Sequence, residues 1–329
     1  MLCRAKPSIV IFGGTGFLGS NFANYAARLG ARAVACGTGV PTSSVIDTAV
    51  EVVELDASDL AESSNLLRNI KPDAVVFGIS GISPRAKKDV DAATVLTELR
   101  TLANVIQGAR ECGVQQLVFC SSGGAIYGDS IAPHVETDVC RPKSLYGKLK
   151  LQAEMLVATL CEQFDMKATV MRIGNPYGPG QSPFGLHGVI ATFLYKMLAA
   201  EPITIFGSLE AAKDYVYVDD VSAAIWSSIE RQANGVYNIA SGTPTSLQAV
   251  VKNLSEVCMV EPTVEYVELA TTEVPTFTLD IAKAKRDLQW SPAIQMGPGI
   301  AVTKRWIEET YLQESRRRRR LAMQEAGIV

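Results

Sequence analysis

Histidine is scarce in this sequence, since only His134 and His187 occur among 329 residues. The two lie far apart along the chain, so a metal site built on clustered histidines is not expected. A histidine-based catalytic triad would have to use one of these two side chains. We interpret both as ordinary loop residues and expect no metal site.

The cysteines are unpatterned, and long apolar runs are missing. The seven cysteines form no C-x-x-C pair and no tight cluster, which argues against a disulfide framework or a zinc ribbon and fits a reducing compartment. No apolar run reaches about 18 residues, the length of a membrane span. The segment from Met1 to Pro7 leads into an apolar stretch too short for a signal-peptide core. We therefore expect a cytoplasmic protein with no membrane partner.

Neither sign of charge is in large excess. The sequence has 31 Lys and Arg against 34 Asp and Glu, a formal net charge of −3. This balance lacks the broad positive field of most nucleic-acid-binding proteins, so we expect no nucleic-acid partner. The one basic run, Arg316 to Arg320, is interpreted as the solvated end of a final helix, with a polyanion contact as the alternative.

Short β-branched apolar runs alternate with longer amphipathic stretches through the first half of the chain. This pattern predicts strands over 8–12, 31–36, 50–55, 74–77, 116–120 and 167–173. It predicts helices over 17–29, 58–70, 89–112 and 145–164. Alternation of this kind is typical of parallel βαβ units, so the predicted fold class is α/β, with a Rossmann-type doubly wound parallel sheet.

The composition of the sequence and the pattern of predicted elements change after Gly174. Residues 175–185 are dense in Gly and Pro, and the elements that follow alternate less regularly. We predict a dinucleotide-binding domain over 1–174 and a smaller, mainly substrate-binding α/β domain over 175–329. The chain around 214–240 is expected to return to the main sheet.

A glycine motif joins the first predicted strand to the first predicted helix. Gly13, Gly16 and Gly19 give the spacing G-x-x-G-x-x-G. At this junction Gly13 permits a tight turn, Gly16 lets the backbone approach a pyrophosphate, and Gly19 lets helix and strand pack closely. The helix N-terminus adds free N–H groups and a partial positive charge. The motif predicts a dinucleotide site that includes Phe17 and Leu18.

The second predicted strand lacks the acidic residue that usually holds the adenosine ribose, because the chain there reads Gly37-Thr38. A missing carboxylate would admit the 2′-phosphate of NADP, yet no arginine follows nearby to bind it. We expect NAD, with NADP as the alternative. Asp56 and Ala57, after the third predicted strand, are candidates for the adenine edge. A helix-capping carboxylate is the alternative for Asp56.

Tyr146 and Lys150 form a second constellation on the long helix predicted over 145–164. Four residues turn a helix by about 400°, so the two side chains lie about 40° apart on one face. A nearby ammonium would favour the phenolate of a tyrosine, whose unperturbed pKa is near 10. Ser121 and Ser122 follow the fifth predicted strand, at the sheet edge where such folds bind ligands. The group predicts a proton-transfer site, with a chance pair on an exposed helix as the alternative.

Six motifs occur in order along nearly the whole chain: GGTGFLG, SSGGAIYGD, SLYGKLKLQAE, RIGNPYGPGQ, KDYVYVDDV and LDIAKAKRDLQWSP. With these motifs the sequence resembles the extended short-chain dehydrogenase/reductases of the nucleotide-sugar epimerase/dehydratase family, in particular UDP-glucose 4-epimerase-like members. The resemblance implies Tyr146 as catalytic acid/base and Lys150 as its partner and a nicotinamide-ribose ligand. It also implies Asn175 and Lys213 near the substrate diphosphate, and a homodimer built from the two long helices.

The sequence departs from the family pattern at several positions. Gly123 stands where many relatives carry the catalytic serine, so Ser122 is expected to take that role, with Ser121 as the second choice. Lys213 replaces an arginine and can meet a phosphate only as a point charge. Thr97 aligns with an asparagine that many relatives carry in the helix before the fifth strand.

The resemblance implies NAD-dependent 4-epimerisation of a nucleoside-diphosphate sugar through a transient 4-keto intermediate. The first alternative is an NADPH-dependent nucleotide-sugar 4-ketoreductase, which Gly37 favours. A dehydratase is not expected, because the loop SSGGAIYG lacks the Asp-Glu pair of those relatives. An alternative of another class is a non-catalytic regulator that binds NAD or a nucleotide sugar, against which Tyr146 and Lys150 argue.

Overall fold

A computed structural model of the chain describes residues 6–39, 45–82, 90–128, 133–184, 188–267 and 276–312. The predictions for His187 and for Arg316 to Arg320 lie outside the described residues.

Seven parallel strands form the main sheet: β1 (Ser8–Phe12), β2 (Arg32–Gly37), β3 (Glu51–Glu54), β4 (Ala74–Phe77), β5 (Gln116–Ser122), β6 (Lys167–Ile173) and β10 (Gly235–Ile239). Their order is β10-β6-β5-β4-β1-β2-β3, with every neighbouring pair parallel. The predicted fold class, a Rossmann-type doubly wound α/β sheet, is confirmed.

Helices cover both faces of this sheet: α1 (Phe17–Arg28), α2 (Leu60–Ile70), α3 (Ala92–Glu111), α4 (Gly123–Ile126), α5 (Leu145–Gln163) and α7 (Val218–Glu230). Successive strand residues point to opposite faces. Ile9 and Ile11 of β1 pack in the core under α1 and α7. Val10 and Phe12 pack in the core under α2, α3 and α5. Both faces of the sheet are therefore buried, as the apolar strands require.

Most boundaries lie within one residue of the predicted ones, and the larger differences have local reasons. The side chain of Asp59 accepts from the N–H groups of the first turn of α2, and Asp91 does the same for α3. Both helices consequently begin after these caps rather than at residues 58 and 89. Strand β5 continues through Ser121 and Ser122, because these residues still pair with β6.

The remaining elements form a smaller unit: β7 (Asn175–Tyr177), β8 (Ile203–Phe206), β9 (Ala212–Tyr217), β11 (Pro244–Ser246), β12 (Val264–Val267), α6 (Val189–Leu198), α8 (Leu247–Cys258), α9 (Ala282–Asp287), α10 (Met296–Ile307) and a π-helix (Glu308–Leu312). Strand β9 pairs with β7 and β11, and β8 pairs with β12. A third core joins α6, α8 and α10. The domain boundary after residue 174 stays a prediction, and β10 lies beside β6 in the main sheet.

The strand order reverses between β1 and β4. Phe12 of β1 is in register with Cys36 and Phe77, and Phe77 with Phe119. The loops after these strands therefore meet at one edge, where doubly wound sheets bind ligands. Within the described ranges, no helix is long and apolar enough to cross a membrane. The cytoplasmic location stays a prediction.

Candidate active site

The turn after β1 places its glycines in three different environments. Gly13 has a φ of +79°, a left-handed conformation that suits glycine, and its N–H donates to the carbonyl of Cys36 at 2.9 Å. A Cβ on Gly19 would lie 2.2 Å from the carbonyl oxygen of Gly13, so α1 packs directly on the turn. A Cβ on Gly16 would meet only that oxygen, at 3.3 Å, and its other sides are open. This geometry supports the separate roles expected of the three glycines.

Helix α1 starts at this turn with Gly16 as its N-cap, and no side chain caps it. The N–H groups of Phe17 and Leu18 have no carbonyl one turn earlier to bind. Together with the helix dipole, they favour an anion at this end. Phe17 and Leu18 thus contribute through their backbone, while the Leu18 side chain packs against the core beneath α1.

A cavity of about 640 Å³ extends from the glycine turn along the carboxyl ends of β1 to β4. Its volume is within the range of about 300–1,000 Å³ that is typical of ligand sites. Its lining residues are Phe12, Gly13, Thr15, Gly16, Cys36, Gly37, Thr38, Leu55, Asp56, Ala57, Ser58, Gly78, Ile79, Ser80, Gly81, Ala93, Thr94, Thr97, Glu98 and Thr101. The open face of Gly16, the uncapped helix and this elongated space fit a bound dinucleotide.

One end of the cavity holds the residues expected at the adenosine. Asp56 accepts from the N–H of Ser58 at 2.9 Å, and hydrogen bonds from Ser58 lower the pKa of this carboxyl. Asp59, rather than Asp56, caps α2. The capping alternative for Asp56 is therefore wrong, and its carboxylate remains at the cavity wall beside Ala57.

Gly37 ends β2 against the side chain of Thr15. A Cβ on Gly37 would lie 2.1 Å from the Thr15 hydroxyl oxygen. The space that an acidic side chain at this position would need is therefore filled by a hydroxyl. Thr38 lines the same end of the cavity.

The side chains of Ser122, Tyr146 and Lys150 meet where β5 and α5 approach each other. The Ser122 side chain lies close enough to Tyr146 to lower the pKa of its phenol. The Lys150 side chain is only 3% exposed. Its Nζ lies 5.8 Å from the centre of the Tyr146 ring and 5.1 Å from that of Phe119. The structure thus brings the three predicted catalytic residues together.

Burial dominates the titration of this group. It raises the pKa of Tyr146 to about 12, while the hydrogen bond from Ser122 lowers it in part. Lys150 Nζ is directed to the carbonyl of Ile79, at 3.4 Å. The expected effect of Lys150 on the pKa of Tyr146 stays a prediction. Burial also lowers the pKa of Lys150.

Ser121 points into a buried polar network instead. Its hydroxyl donates to Glu154 Oε1 at 2.5 Å. Arg172 Nη2 contacts Glu154 Oε2 at 2.8 Å, and Arg172 Nη1 donates to the Tyr127 hydroxyl at 2.9 Å. His134 stacks on Tyr127, with 4.7 Å between ring centres. The network ties α5 to β5 and β6, and it occupies the hydroxyl of Ser121.

Gly123 leaves no room for the serine that many relatives carry at this position. A Cβ there would lie 2.7 Å from Leu279 Cδ1 and 3.1 Å from the carbonyl oxygen of Arg172. The hydroxyl of Ser121 is held by Glu154, whereas Ser122 lies close enough to Tyr146 to lower the pKa of its phenol. The structure therefore favours Ser122 over Ser121.

The candidate substrate ligands lie on neighbouring strands of the smaller unit. Asn175 begins β7, and its Nδ2 donates to the carbonyl of Asp214 at 3.2 Å. Its Oδ1 is directed at Gly124, 4.0 Å from where a Cβ would stand. Lys213 precedes Asp214 on β9, which pairs with β7. Asn175 thus approaches the segment that follows Ser122, and Lys213 lies on the strand that pairs with β7.

Sequence reasoning missed three contributors to this site: Thr15, Glu98 and the ion pair of Glu154 with Arg172. Arg172 carried a usable signal, since a charged residue inside an apolar strand needs a buried partner. Glu154 lies one helical turn beyond Lys150, on the same face. Nothing in the sequence distinguished Thr15 or Glu98.

The first part of the chain matches the model of the NAD dependent epimerase/dehydratase family over residues 9–240. Among curated proteins, it is 32% identical over 191 residues to a dTDP-4-dehydro-6-deoxyglucose reductase of Escherichia coli. That match covers 58% of this chain and 60% of the relative, so the chain spans less than two thirds of that protein.

Two solved structures match nearly the whole fold. A UDP-glucose 4-epimerase from Thermotoga maritima, solved with UDP-glucose, has a TM-score of 0.86 and 30% identity over 92% of this chain and 99% of its own. A UDP-glucose 4-epimerase from Thermus thermophilus, solved with NAD, has a TM-score of 0.84 and 25% identity over 92% and 99%.

Proposed function

Because the chain belongs to the NAD-dependent epimerase/dehydratase family, and is therefore an enzyme, we propose that it catalyses 4-epimerisation of a nucleoside-diphosphate sugar. The observation that carries the proposal is the buried Lys150, whose Nζ lies 5.8 Å from the centre of the Tyr146 ring and 3.4 Å from the carbonyl of Ile79, a residue that lines the dinucleotide cavity. A non-catalytic regulator is not retained.

The chemistry divides between the cofactor and the side chains. NAD, when bound, supplies a hydride acceptor for C4 of the sugar and then a hydride donor for the 4-keto form. Tyr146 takes the proton of the C4 hydroxyl and later returns it. Ser122 hydrogen-bonds Tyr146 and orients the reacting hydroxyl, and Lys150 holds a buried positive charge beside the ring. General acid–base catalysis of this kind contributes about 10²- to 10⁴-fold.

The residues in and around the cavity can be assigned to the parts of the dinucleotide that they would contact. Gly13, Gly16 and the first N–H groups of α1 would hold the pyrophosphate, and Asp56 with Ala57 would flank the adenosine. Lys150 would reach the nicotinamide ribose. Since an epimerase regenerates its dinucleotide in every cycle, we expect NAD to stay bound.

The substrate diphosphate is assigned to the smaller unit. Asn175 and Lys213 are its proposed ligands, because they lie on paired strands and Asn175 approaches Gly124, two residues after Ser122. Lys213 supplies a point charge rather than the bidentate fork of an arginine. These residues would hold the diphosphate while the 4-keto sugar rotates and presents its opposite face to the cofactor.

A 4-ketoreductase that uses NADPH is the second candidate. The absence of a carboxylate at Gly37, where the hydroxyl of Thr15 stands instead, favours it. The likeness to the Escherichia coli reductase points the same way.

We also propose a homodimer through α3 and α5. These helices pack together on the sheet, yet Leu96 on α3 is 66% exposed and Met155 on α5 is 64% exposed. Burial of both against a second copy would remove this apolar surface from water. Light scattering at micromolar concentration should give the mass of two chains, and the mass of one chain would exclude the dimer.

The function is tested by cofactor identity and substrate turnover together. We expect denaturation of the purified protein to release NAD. The holoenzyme, with no added cofactor, should then convert one member of a panel of UDP-, dTDP- and GDP-sugars to its C4 epimer. Turnover only of 4-keto sugars, with one NADPH consumed per product, would replace the epimerase with the reductase.

A further inference from the structure

Asp214 on β9 carries a carboxylate that is completely buried, with 0% of the residue exposed. Its Oδ1 accepts from the N–H of Ser241 at 2.8 Å and from the hydroxyl of Ser241 at 2.5 Å. Its Oδ2 accepts from the N–H of Gly242 at 3.1 Å and from that of Leu279 at 3.2 Å. A buried carboxylate is tolerated when donors such as these replace the lost water. Asp214 thus joins β9 to two segments that are distant in the sequence.

The two proposed ligands of the substrate diphosphate are attached to Asp214 through its backbone. Lys213 precedes it on β9, and the two residues pair with Thr245 and Pro244 of β11. Asn175 Nδ2 donates to the backbone carbonyl of Asp214 at 3.2 Å. Successive side chains of a strand point to opposite faces, so Lys213 points to the face opposite to that of Asp214. The positions of both ligands therefore depend on how β9 is held at residue 214.

The contacts of Asp214 also lead to the start of α4. Leu279, whose N–H is bound by Asp214 Oδ2, packs against Gly123, since a Cβ on Gly123 would lie 2.7 Å from Leu279 Cδ1. Asn175 Oδ1 approaches the next residue, Gly124. The side-chain contact and the backbone contact of Asp214 thus end at adjacent glycines. They fix β9 against the turn that follows the catalytic serine.

Asp220, in the first turn of α7, has a similar environment. It is 4% exposed, and its carboxylate accepts from the N–H groups of Ala293 at 2.9 Å and Ile294 at 3.0 Å. Its backbone carbonyl accepts from Trp290 Nε1 at 2.9 Å. The two aspartates therefore share their burial, their backbone donors and a side-chain donor on the carbonyl. They differ in the residues that they hold, because no proposed substrate ligand contacts Asp220 among these partners.

We propose that Asp214 is a positioning residue for the substrate diphosphate, which fixes the strand that presents Lys213 and orients the amide of Asn175. The proposal rests on the roles proposed above for these two ligands. An amide has two N–H donors, so the bond to the Asp214 carbonyl orients the group and leaves the second donor for a phosphate oxygen. Loss of the carboxylate would then weaken diphosphate binding and leave the dinucleotide cavity in place.

The test titrates nucleoside diphosphates into variants of the NAD-loaded protein. Calorimetry with UDP, dTDP and GDP identifies the one that the wild type binds most tightly. Asp214→Asn places an amide nitrogen opposite N–H donors that it cannot accept, so β9 should shift. We expect this variant to retain NAD but to bind the diphosphate about tenfold more weakly, because small displacements of binding groups lose large factors.

Asp220→Asn is the matched control, since it loses a buried acceptor of the same kind. Its melting temperature should fall by an amount similar to that of Asp214→Asn, while its affinity for the diphosphate should equal that of the wild type. A structural role alone would lower both melting temperatures without separating the affinities. Equal diphosphate affinities of the two variants would therefore overturn the proposal.

Steady-state kinetics with the sugar that the panel selects give a second readout. Asp214→Asn should raise KM about tenfold and change kcat by less than about threefold, the pattern of lost uniform binding. A fall in kcat with no change in KM would contradict the proposed role.

A second variant covers the case in which Asp214→Asn shows no melting transition. Ser241→Ala, which removes one of the four donors to the carboxylate, is then titrated instead. A smaller weakening of diphosphate binding supports the proposal, and an unchanged affinity overturns it.

The titration needs no turnover. Separate diphosphate affinities of the two aspartate variants in a protein that fails to epimerise sugars would distinguish this role from the proposed function. Failure of the wild type to bind any of the three diphosphates would overturn the proposal together with the proposed substrate class.

Discussion

The glycine turn after β1 and the serine-tyrosine group after β5 lie at the same edge of one sheet but are built in opposite ways. The turn depends on the absence of side chains. Gly16 leaves its backbone accessible to a ligand, and Gly19 lets α1 pack directly on the backbone of Gly13. The group of Ser122, Tyr146 and Lys150 instead depends on side chains that come together where β5 meets α5. A substitution in the glycine turn should therefore weaken cofactor binding without changing proton transfer, and a substitution at Ser122 or Tyr146 should do the reverse.

Tyr146→Phe should give the largest difference between the effect on turnover and the effect on cofactor binding. We expect turnover to fall by about 10²- to 10⁴-fold while the purified protein keeps its dinucleotide, because only the ionisable oxygen is lost. Initial rates and the released cofactor measure the two effects. Tyr266→Phe, at an exposed position on β12, is the control and should match the wild type. Activity within a few-fold of the wild type in Tyr146→Phe would remove this residue from the mechanism.

Alanine substitutions at the two adjacent serines should have different effects, one on catalysis and the other on stability. Ser122→Ala should lower kcat by about 10²-fold, since it loses the hydrogen bond to the reacting tyrosine. Ser121→Ala should instead lower the free energy of unfolding by about 1–3 kcal/mol, because Glu154 loses a donor. Paired kinetics and denaturant melts check both, and the reverse ranking would assign the catalytic role to Ser121.

Alanine substitutions at two glycines of the turn should likewise have different effects, one on cofactor affinity and the other on stability. Gly16→Ala should fold normally but bind the dinucleotide at least about tenfold more weakly, a loss of about 1.4 kcal/mol. Gly19→Ala should destabilise the protein by about 1–3 kcal/mol, because its Cβ meets backbone. Fluorescence titration and thermal melts distinguish them. Equal cofactor affinity in Gly16→Ala and the wild type would contradict the open-face assignment.

The smallest effect is expected at the adenosine end. Gly37→Asp combined with Thr15→Ala should raise the preference for NADH over NADPH a few-fold, because a carboxylate there repels a 2′-phosphate and the clash with the hydroxyl is gone. Gly37→Asp alone should gain less, since Thr15 blocks the new side chain. If wild-type protein already binds NADPH more than about tenfold tighter than NADH, a difference of about 1.4 kcal/mol, the reductase becomes the leading function.

The strands of the first half of the chain and the closeness of Tyr146 to Lys150 were predictable, because apolar runs and helical spacing are local signals. The preference for Ser122 over Ser121 came from the family resemblance, and the contact of Ser121 with Glu154 was not predictable because the predicted strand stopped at residue 120. Since β5 runs through Ser122, the two serines point to opposite faces, which sends Ser121 to Glu154. The raised pKa of Tyr146 and the placement of Glu98 depend on tertiary burial, for which the sequence carries no periodic signal.

In the proposed epimerisation, hydride leaves C4 of the sugar and returns to C4 within one site. The most direct test of this step is incubation of the holoenzyme, without added cofactor, with UDP-glucose deuterated at C4, or with the C4-deuterated form of another sugar if the panel selects one. NMR and mass spectrometry should find the deuterium still at C4 in the epimerised product, over many turnovers per protein. Loss of the deuterium from C4 in the product would contradict the mechanism.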